Sequence, residues 1–157
     1  MKNALVILAG GKGKRFGQKI PKQFLKIGNT NFLNYFISNL DITNFDIINI
    51  SIDKKYQKIY LNDKVISKKI KITYSKPGLT RQISSLNALK NLKKFKINNV
   101  LIHDAARPLC SNKLIRKIIS KLDKNNNAIP YVEYNDRQLI KKDKYETKVI
   151  NIQTPQG

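Results

Sequence analysis

The 157 residues are 41% hydrophobic, enough for one domain with a core but not comfortably for two. The longest uncharged apolar run, Ala4 to Ala9, is strand-sized; it is too short to span a membrane, and glycines rather than a signal-peptide cleavage site follow it. A single cysteine, Cys110, excludes a disulfide framework and a cysteine-based zinc site within the chain, so a reducing cytoplasm is the expected setting.

Thirty-one basic residues face 10 acidic ones, a net charge of +21 that on its face suggests a polyanionic partner. Of the basic residues, however, 26 are Lys and only 5 are Arg, and Arg is the residue that selective phosphate and base recognition favours. Lys, Asn and Ile together supply 67 of the 157 residues, and all three have AT-rich codons, so composition alone can fill solvated positions with Lys. A nucleic-acid module would also carry its aromatic or arginine residues as a stripe on one element, whereas these arginines are dispersed. The charge therefore fits an anionic small molecule better than a specific nucleic acid.

Short apolar runs alternate with amphipathic segments, the pattern of an α/β fold with a mostly parallel sheet. Strands are predicted at Leu5 to Leu8, Asp46 to Ile52, Ile70 to Tyr74, Asn99 to His103 and Ala128 to Val132. Helical spacing links Phe32, Tyr35, Phe36 and Leu40, then Tyr56, Ile59 and Tyr60, then Ile83, Leu86, Leu89 and Leu92. The cleanest stripe is Leu114, Ile115, Ile118, Ile119 and Leu122, with Ser111 as a predicted N-cap. No repeat, linker or domain boundary interrupts the chain, so residues 1–157 read as a single domain. Residues 133 to 148 are polar and aperiodic, and the chain stops at Gly157 on an open segment, which is expected of a domain lacking its C-terminal third.

The first strand runs directly into Leu8-Ala9-Gly10-Gly11-Lys12-Gly13-Lys14-Arg15-Phe16-Gly17. Glycines let a backbone approach phosphates and aim N–H groups at them, and the carboxyl end of a strand is where α/β sheets bind ligands. The loop lacks the third glycine of the dinucleotide fingerprint and the Gly-Lys-Ser/Thr of a Walker loop. Arg15 and, shortly after, Pro21-Lys22-Gln23 add positive charge to it. At the end of the fourth predicted strand, expected to be central, the polar pair His103-Asp104 marks a second part of a site.

These motifs resemble the sugar-phosphate nucleotidyltransferases, whose pattern is Leu-Ala-Gly/Ala-Gly-x-Gly-x-Arg-x-Gly followed by Pro-Lys-Gln. Within that group the chain is similar to the 2-C-methyl-D-erythritol 4-phosphate cytidylyltransferase family. Gly78-Leu79-Thr80-Arg81-Gln82-Ile83-Ser84 resembles its Gly-x-x-Arg-x-x-Ser element, His103-Asp104-Ala105-Ala106-Arg107-Pro108 matches a family signature, and Gln153-Thr154-Pro155-Gln156 matches another, all in the family's order. The resemblance spans residues 4 to 157, about two-thirds of a typical member. It implies a three-layer Rossmann-like nucleotidyltransferase with a short arm, its last elements missing, that transfers CMP from CTP to a polyol phosphate with Mg²⁺ on the triphosphate. Methylerythritol phosphate is the expected acceptor and ribitol phosphate the alternative; a molybdenum-cofactor nucleotidyltransferase, which should lack Pro-Lys-Gln, ranks third. A fragment that binds nucleotide without turnover is a further possibility.

The reaction joins two anions and expels a third, so positioning and electrostatic stabilisation dominate its catalysis. The resemblance implies that Arg15 and Lys22 stabilise the transition state, and that Ala9, Gly10, Gly11, Gly13, Gly78, Ser84, Asp104 and Ala105 contact CTP, with Ser84 at the cytosine or ribose. It places Asp104 and Arg107 at the acceptor. Lys12 and Lys14 have no motif role and are expected in solvent. His103 is expected to be a satisfied structural histidine, because a phosphate monoester is already ionised at neutral pH and needs no base. Cys110 is expected to pack, and no protein metal cluster is expected.

The chain departs from the family in several places. Gly11 stands at the family's usual second alanine, a variant also found in ribitol phosphate cytidylyltransferases, and Pro77-Gly78 replaces Gly-Gly. Asp136-Arg137 aligns ambiguously with the family's arm, which in relatives pairs two subunits and brings an arginine to the substrate. Only 16 residues separate Arg137 from Thr154, with Lys141, Lys142, Lys144 and Lys148 and no arginine among them. The arm is thus shorter by roughly ten residues, a gap loops can absorb. The family's C-terminal lysine would lie beyond Gly157. The expected outcome is CTP binding with slow turnover, weak polyol phosphate binding and weakened dimerisation.

Overall fold

Strand β1 (Asn3–Leu8) lies between β4 (Ile47–Ser51) and β6 (Asn99–Asp104), and β5 (Lys71–Ser75) pairs on the far side of β4. All three pairings are parallel, giving the order β5-β4-β1-β6. The computed structural model describes residues 1–12, 20–62, 70–122 and 127–131. Ala4, Leu5, Val6 and Ile7 are wholly buried, as a parallel strand covered on both faces requires.

Alternation along the strands divides the core into two unequal parts. Leu5, Ile7, Ile48 and Ile50 join Leu33, Phe36 and Ile37 of α1 (Phe32–Asn39) and Ile115 of α4 (Asn112–Ile119). Tyr56 and Tyr60 of α2 (Lys54–Tyr60) pack onto the same cluster. On the opposite face, Ala4, Val6 and Ile47 meet Ala88 and Leu92 of α3 (Arg81–Leu92). Helices thus flank the sheet on both sides, in the three layers the resemblance implied.

Local chemistry starts each helix. Asn31, Thr80 and Ser111 accept hydrogen bonds from the N–H groups of Asn34, Ile83 and Leu114, the N-cap contact that satisfies an orphan donor of the first turn. A hairpin not foreseen in the sequence, β2 (Lys26–Ile27) with β3 (Thr30–Asn31), turns at Gly28, whose φ of +55° favours glycine. It delivers Asn31 and Asn34 to the Tyr60 carbonyl, to which both side chains donate, joining α1 to the end of α2.

Three expectations need correction. Residues 128–131 form no strand, and Pro130, which has no N–H for a ladder, explains why; Val132 lies outside the described residues. Strand β6, expected to be central, has β1 as its only partner among the described strands. Helix α3 buries Ser84, Ala88 and Leu92, while Ile83, Leu86 and Leu89 remain 43%, 49% and 39% exposed. The helix was legible from its periodicity, but the face it buries was not. The arm, including Asp136-Arg137 and Gln153 to Gln156, lies outside the described residues.

Candidate active site

Parallel pairing brings the carboxyl ends of β1, β4, β5 and β6 to one edge: Leu8 pairs with both Ser51 and Asp104, and Ser51 with Ser75. Three strand-end hydrogen bonds knit that edge, from Ala9 N–H to Ser51, from Ile52 N–H to Ser75 and from Ala105 N–H to Leu8. The segments leaving it are those the motifs selected. Gly13 and Arg15 lie outside the described residues, as does Lys14.

The glycine loop and the Pro77-Gly78 turn touch. A Cβ on Gly10 would fall 2.1 Å from Pro77 Cβ, so the backbone there runs against the proline ring and only glycine fits. At Gly11 nothing lies within 4 Å. This corrects the reading of Gly11 as the replaced alanine: in Leu-Ala-Gly/Ala-Gly the variable position follows Ala9, and that is Gly10. The two departures from the family pattern, Gly10 and Pro77, are therefore one contact. The turn continues into Gly78, where a Cβ would meet Ile83 Cγ2 at 2.2 Å.

Ser84 holds that turn. Its buried hydroxyl donates to the Thr80 carbonyl at 2.8 Å and accepts from Gly78 N–H at 3.0 Å, which is the helix N-terminal role open to such a hydroxyl. Asp104, at the end of β6, is bracketed by two arginines. Arg81 Nε lies 3.1 Å from Oδ1 and Arg107 Nε 3.5 Å from Oδ2. Arg81, which the motif carried without a role, is one residue that sequence reasoning missed. Both guanidinium groups are largely exposed, 58% and 78%, and so remain open to an anion. Ala105, next in the chain after Asp104, is fully buried in the larger core cluster.

His103 stacks on Phe36 with ring centroids 4.2 Å apart, and its Nε2 lies 3.0 Å from the Arg107 carbonyl, to which it donates. Burial is the main influence on the ring, holding its pKa below the ordinary value despite the opposing pull of that hydrogen bond and of Asp104. A neutral ring with its Nε2 proton on a carbonyl is a structural histidine, as expected. Cys110 packs against the larger core cluster, and burial raises its thiol pKa, which makes it less reactive.

Lys22, Gln23 and Phe24 form a single 3₁₀ turn that faces three ways. Lys22 is exposed, Gln23 is buried against the glycine loop, and Phe24 stacks on Tyr60 with centroids 4.5 Å apart. Lys12 is exposed, as expected. No cluster of three or more His, Cys, Asp or Glu able to hold a metal occurs among the described residues.

The family model of 2-C-methyl-D-erythritol 4-phosphate cytidylyltransferase matches residues 3–157. The chain belongs to that family. It is 33% identical over 162 residues to the 2-C-methyl-D-erythritol 4-phosphate cytidylyltransferase of Thermotoga neapolitana, covering 99% of this chain and 72% of that protein. It is 36% identical over 163 residues to the bifunctional enzyme IspD/IspF of Pelagibacter ubique, covering all of this chain but 43% of that protein. It is also 36% identical over 175 residues to the bifunctional ribulose 5-phosphate reductase/CDP-ribitol pyrophosphorylase Bcs1 of Haemophilus influenzae, covering 99% of this chain and 35% of that protein. The chain thus spans less than half of either bifunctional relative. The fold is similar to that of the 4-diphosphocytidyl-2C-methyl-D-erythritol synthase from Anaerococcus prevotii, with a TM-score of 0.71 and 24% identity over 94% of this chain and 63% of that one. No helix among the described residues is long and apolar enough to cross a membrane.

Proposed function

We propose that the chain transfers a cytidylyl group from CTP to 2-C-methyl-D-erythritol 4-phosphate, releasing pyrophosphate. The observation that carries this reading is the convergence at one sheet edge of the loop from Ala9, the turn at Pro77-Gly78 and the Asp104 to Arg107 segment. Backbone N–H groups and glycines suit the triphosphate, and Arg81 and Arg107 offer forked donors to phosphate oxygens. Lys22, on the turn packed under the glycine loop, supplies a point charge as negative charge builds on the leaving pyrophosphate, with Arg15 assigned the same part by its motif. The acceptor phosphate arrives ionised, so the reaction needs no base, consistent with a neutral His103 whose Nε2 proton is already engaged.

Mg²⁺ fits this site as an ion carried by the triphosphate. Such sites use one or two carboxylates beside phosphate oxygens, and Asp104, whose oxygens now face Arg81 and Arg107, is a carboxylate at the described edge that could reach the ion. When bound, the ion neutralises charge on the phosphates. A cytoplasmic setting, and a homodimer formed through the segment before Gln153, belong to the same reading. The identity with the Haemophilus relative favours a second acceptor, ribitol 5-phosphate, for the same chemistry.

A pyrophosphate-release assay pairing CTP, ATP, GTP or UTP with each acceptor tests the proposal. The expected result is release with CTP and methylerythritol phosphate, however slow. Release with ribitol phosphate alone would move the chain to the second reading, and none with any pair would overturn the enzymatic one.

A further inference from the structure

We infer that Gln23 is a positioning residue that sets the glycine loop and Lys22 in register with each other. Its side chain is 5% exposed, and its amide nitrogen donates to the carbonyls of Ala9 at 2.7 Å and of Gly11 at 2.8 Å. Both partners are acceptors, so the nitrogen must occupy this position and both of its hydrogens are used. The consequence follows from peptide planarity. In a trans peptide the carbonyl and the next N–H point in opposite directions, and the chain has no cis peptide among its described residues. With the Ala9 and Gly11 carbonyls turned towards Gln23, the N–H groups of Gly10 and Lys12 are turned away from it, and at the exposed Lys12 this means away from the interior. Two N–H groups presented on one side of a glycine turn are what an anion-binding loop requires.

The same residue ties this loop to the lysine beside it. Gln23 is the middle of the 3₁₀ turn Lys22–Phe24, and Phe24 anchors that turn to Tyr56 and Tyr60 of α2. A displacement of the glycine loop therefore draws on the backbone of Lys22, and the two move as one unit against α2. The Gln of Pro-Lys-Gln thus acts through its neighbours: it touches no substrate but fixes the distance between backbone donors and the charged side chain. This rests on the nucleotide-binding reading above for its purpose, but not for its geometry.

The test compares the wild-type chain with Gln23→Glu and Gln23→Met. The first keeps the shape but presents a carboxylate to two carbonyls, and burial raises its pKa so that it regains one donor only on protonation. The second keeps the length and never regains a donor. Calorimetry of CTP with Mg²⁺ and amide hydrogen exchange of residues 9–12 are measured from pH 8 to pH 5.5. At pH 8 both variants should weaken CTP binding about 10- to 100-fold, the loss expected when buried acceptors go unpaired, and should speed exchange in the loop. On acidification Gln23→Glu should recover part of both losses relative to Gln23→Met, a response that simple loosening would not give. If the wild type binds no nucleotide but loop exchange follows this pattern, the positioning role stands and the nucleotide reading falls. If the wild type binds CTP and both variants stay within twofold of it in affinity and exchange at pH 8, the inference is wrong.

Discussion

The two faces of the sheet are packed under different rules. On the α1 face, Leu33, Phe36 and Ile37 meet Leu5, Ile7, Ile48 and Ile50 in a cluster of large side chains. On the α3 face the buried helical residues are Ser84, Ala88 and Leu92, opposite Ala4, Val6 and Ile47. Between α3 and the sheet lies buried Asn49, whose side chain bonds Thr73, Ser75 and Asn91 instead of packing as a hydrocarbon. The difference follows position. Helix α3 begins at the site edge, where Ser84 must reach Gly78, and small residues along its inner stripe let it lie close to the strands. Helix α1 carries hydrophobic load, and α3 carries geometry.

The largest effect is expected on the loaded face. Phe36→Ala removes a buried ring that supports both the core and His103, and should cost about 3–5 kcal/mol in a denaturant titration. A cost under about 1 kcal/mol would erase the distinction between the faces. On the geometric face, Gly10→Ala drives a methyl group into Pro77, an overpacking expected to cost about 1–3 kcal/mol and to weaken CTP binding. Pro77→Gly in the same chain should restore both, because it removes the ring the methyl strikes; additive damage in the double variant would show that the two loops are not in contact.

Protonation gives a smaller effect. The native pKa of His103 lies below its ordinary value of 6.5, so the unfolded chain binds the proton more readily. Its contribution to stability is complete above pH 6.5 and is lost as pH falls towards the depressed native value. Melting temperatures from pH 7 to pH 5 should fall less steeply in His103→Phe, which keeps a ring over Phe36 but cannot titrate; an unchanged slope would remove His103 as the cause. The smallest effect belongs to the outer side of α3. Leu89→Ala, at a position 39% exposed that lines an open groove with Leu86 and Val100, should change stability by less than about 1 kcal/mol.

Much of this architecture was legible where a single physical signal dominates. The apolar run at Leu5 to Leu8 announced a strand, whose burial on both faces the structure adds, and Ser111 announced the start of α4. The site was legible through its glycines and through His103-Asp104 at a strand end. Side-chain periodicity failed on α3, because Ile83, Leu86 and Leu89 outweigh Ser84 and Ala88 in any hydrophobic reading, while hydrogen bonding and close approach decide which side turns inward. Gln23 and Arg81 were visible only as letters in motifs. Their roles depend on carbonyls and a carboxylate supplied by distant parts of the chain, and no local pattern encodes those partners.

The most direct test of the account compares Lys22→Ala with Lys12→Ala in initial rates of pyrophosphate release from CTP and methylerythritol phosphate. Both substitutions remove one positive charge from exposed residues at or beside the same loop, but only Lys22 sits on the turn clasped beneath it. The account predicts a rate about 10²- to 10³-fold lower for Lys22→Ala, the usual consequence of losing one transition-state contact, and a change within a few-fold for Lys12→Ala. Equal losses in the two variants would contradict it, because bulk charge rather than a positioned lysine would then account for the rate.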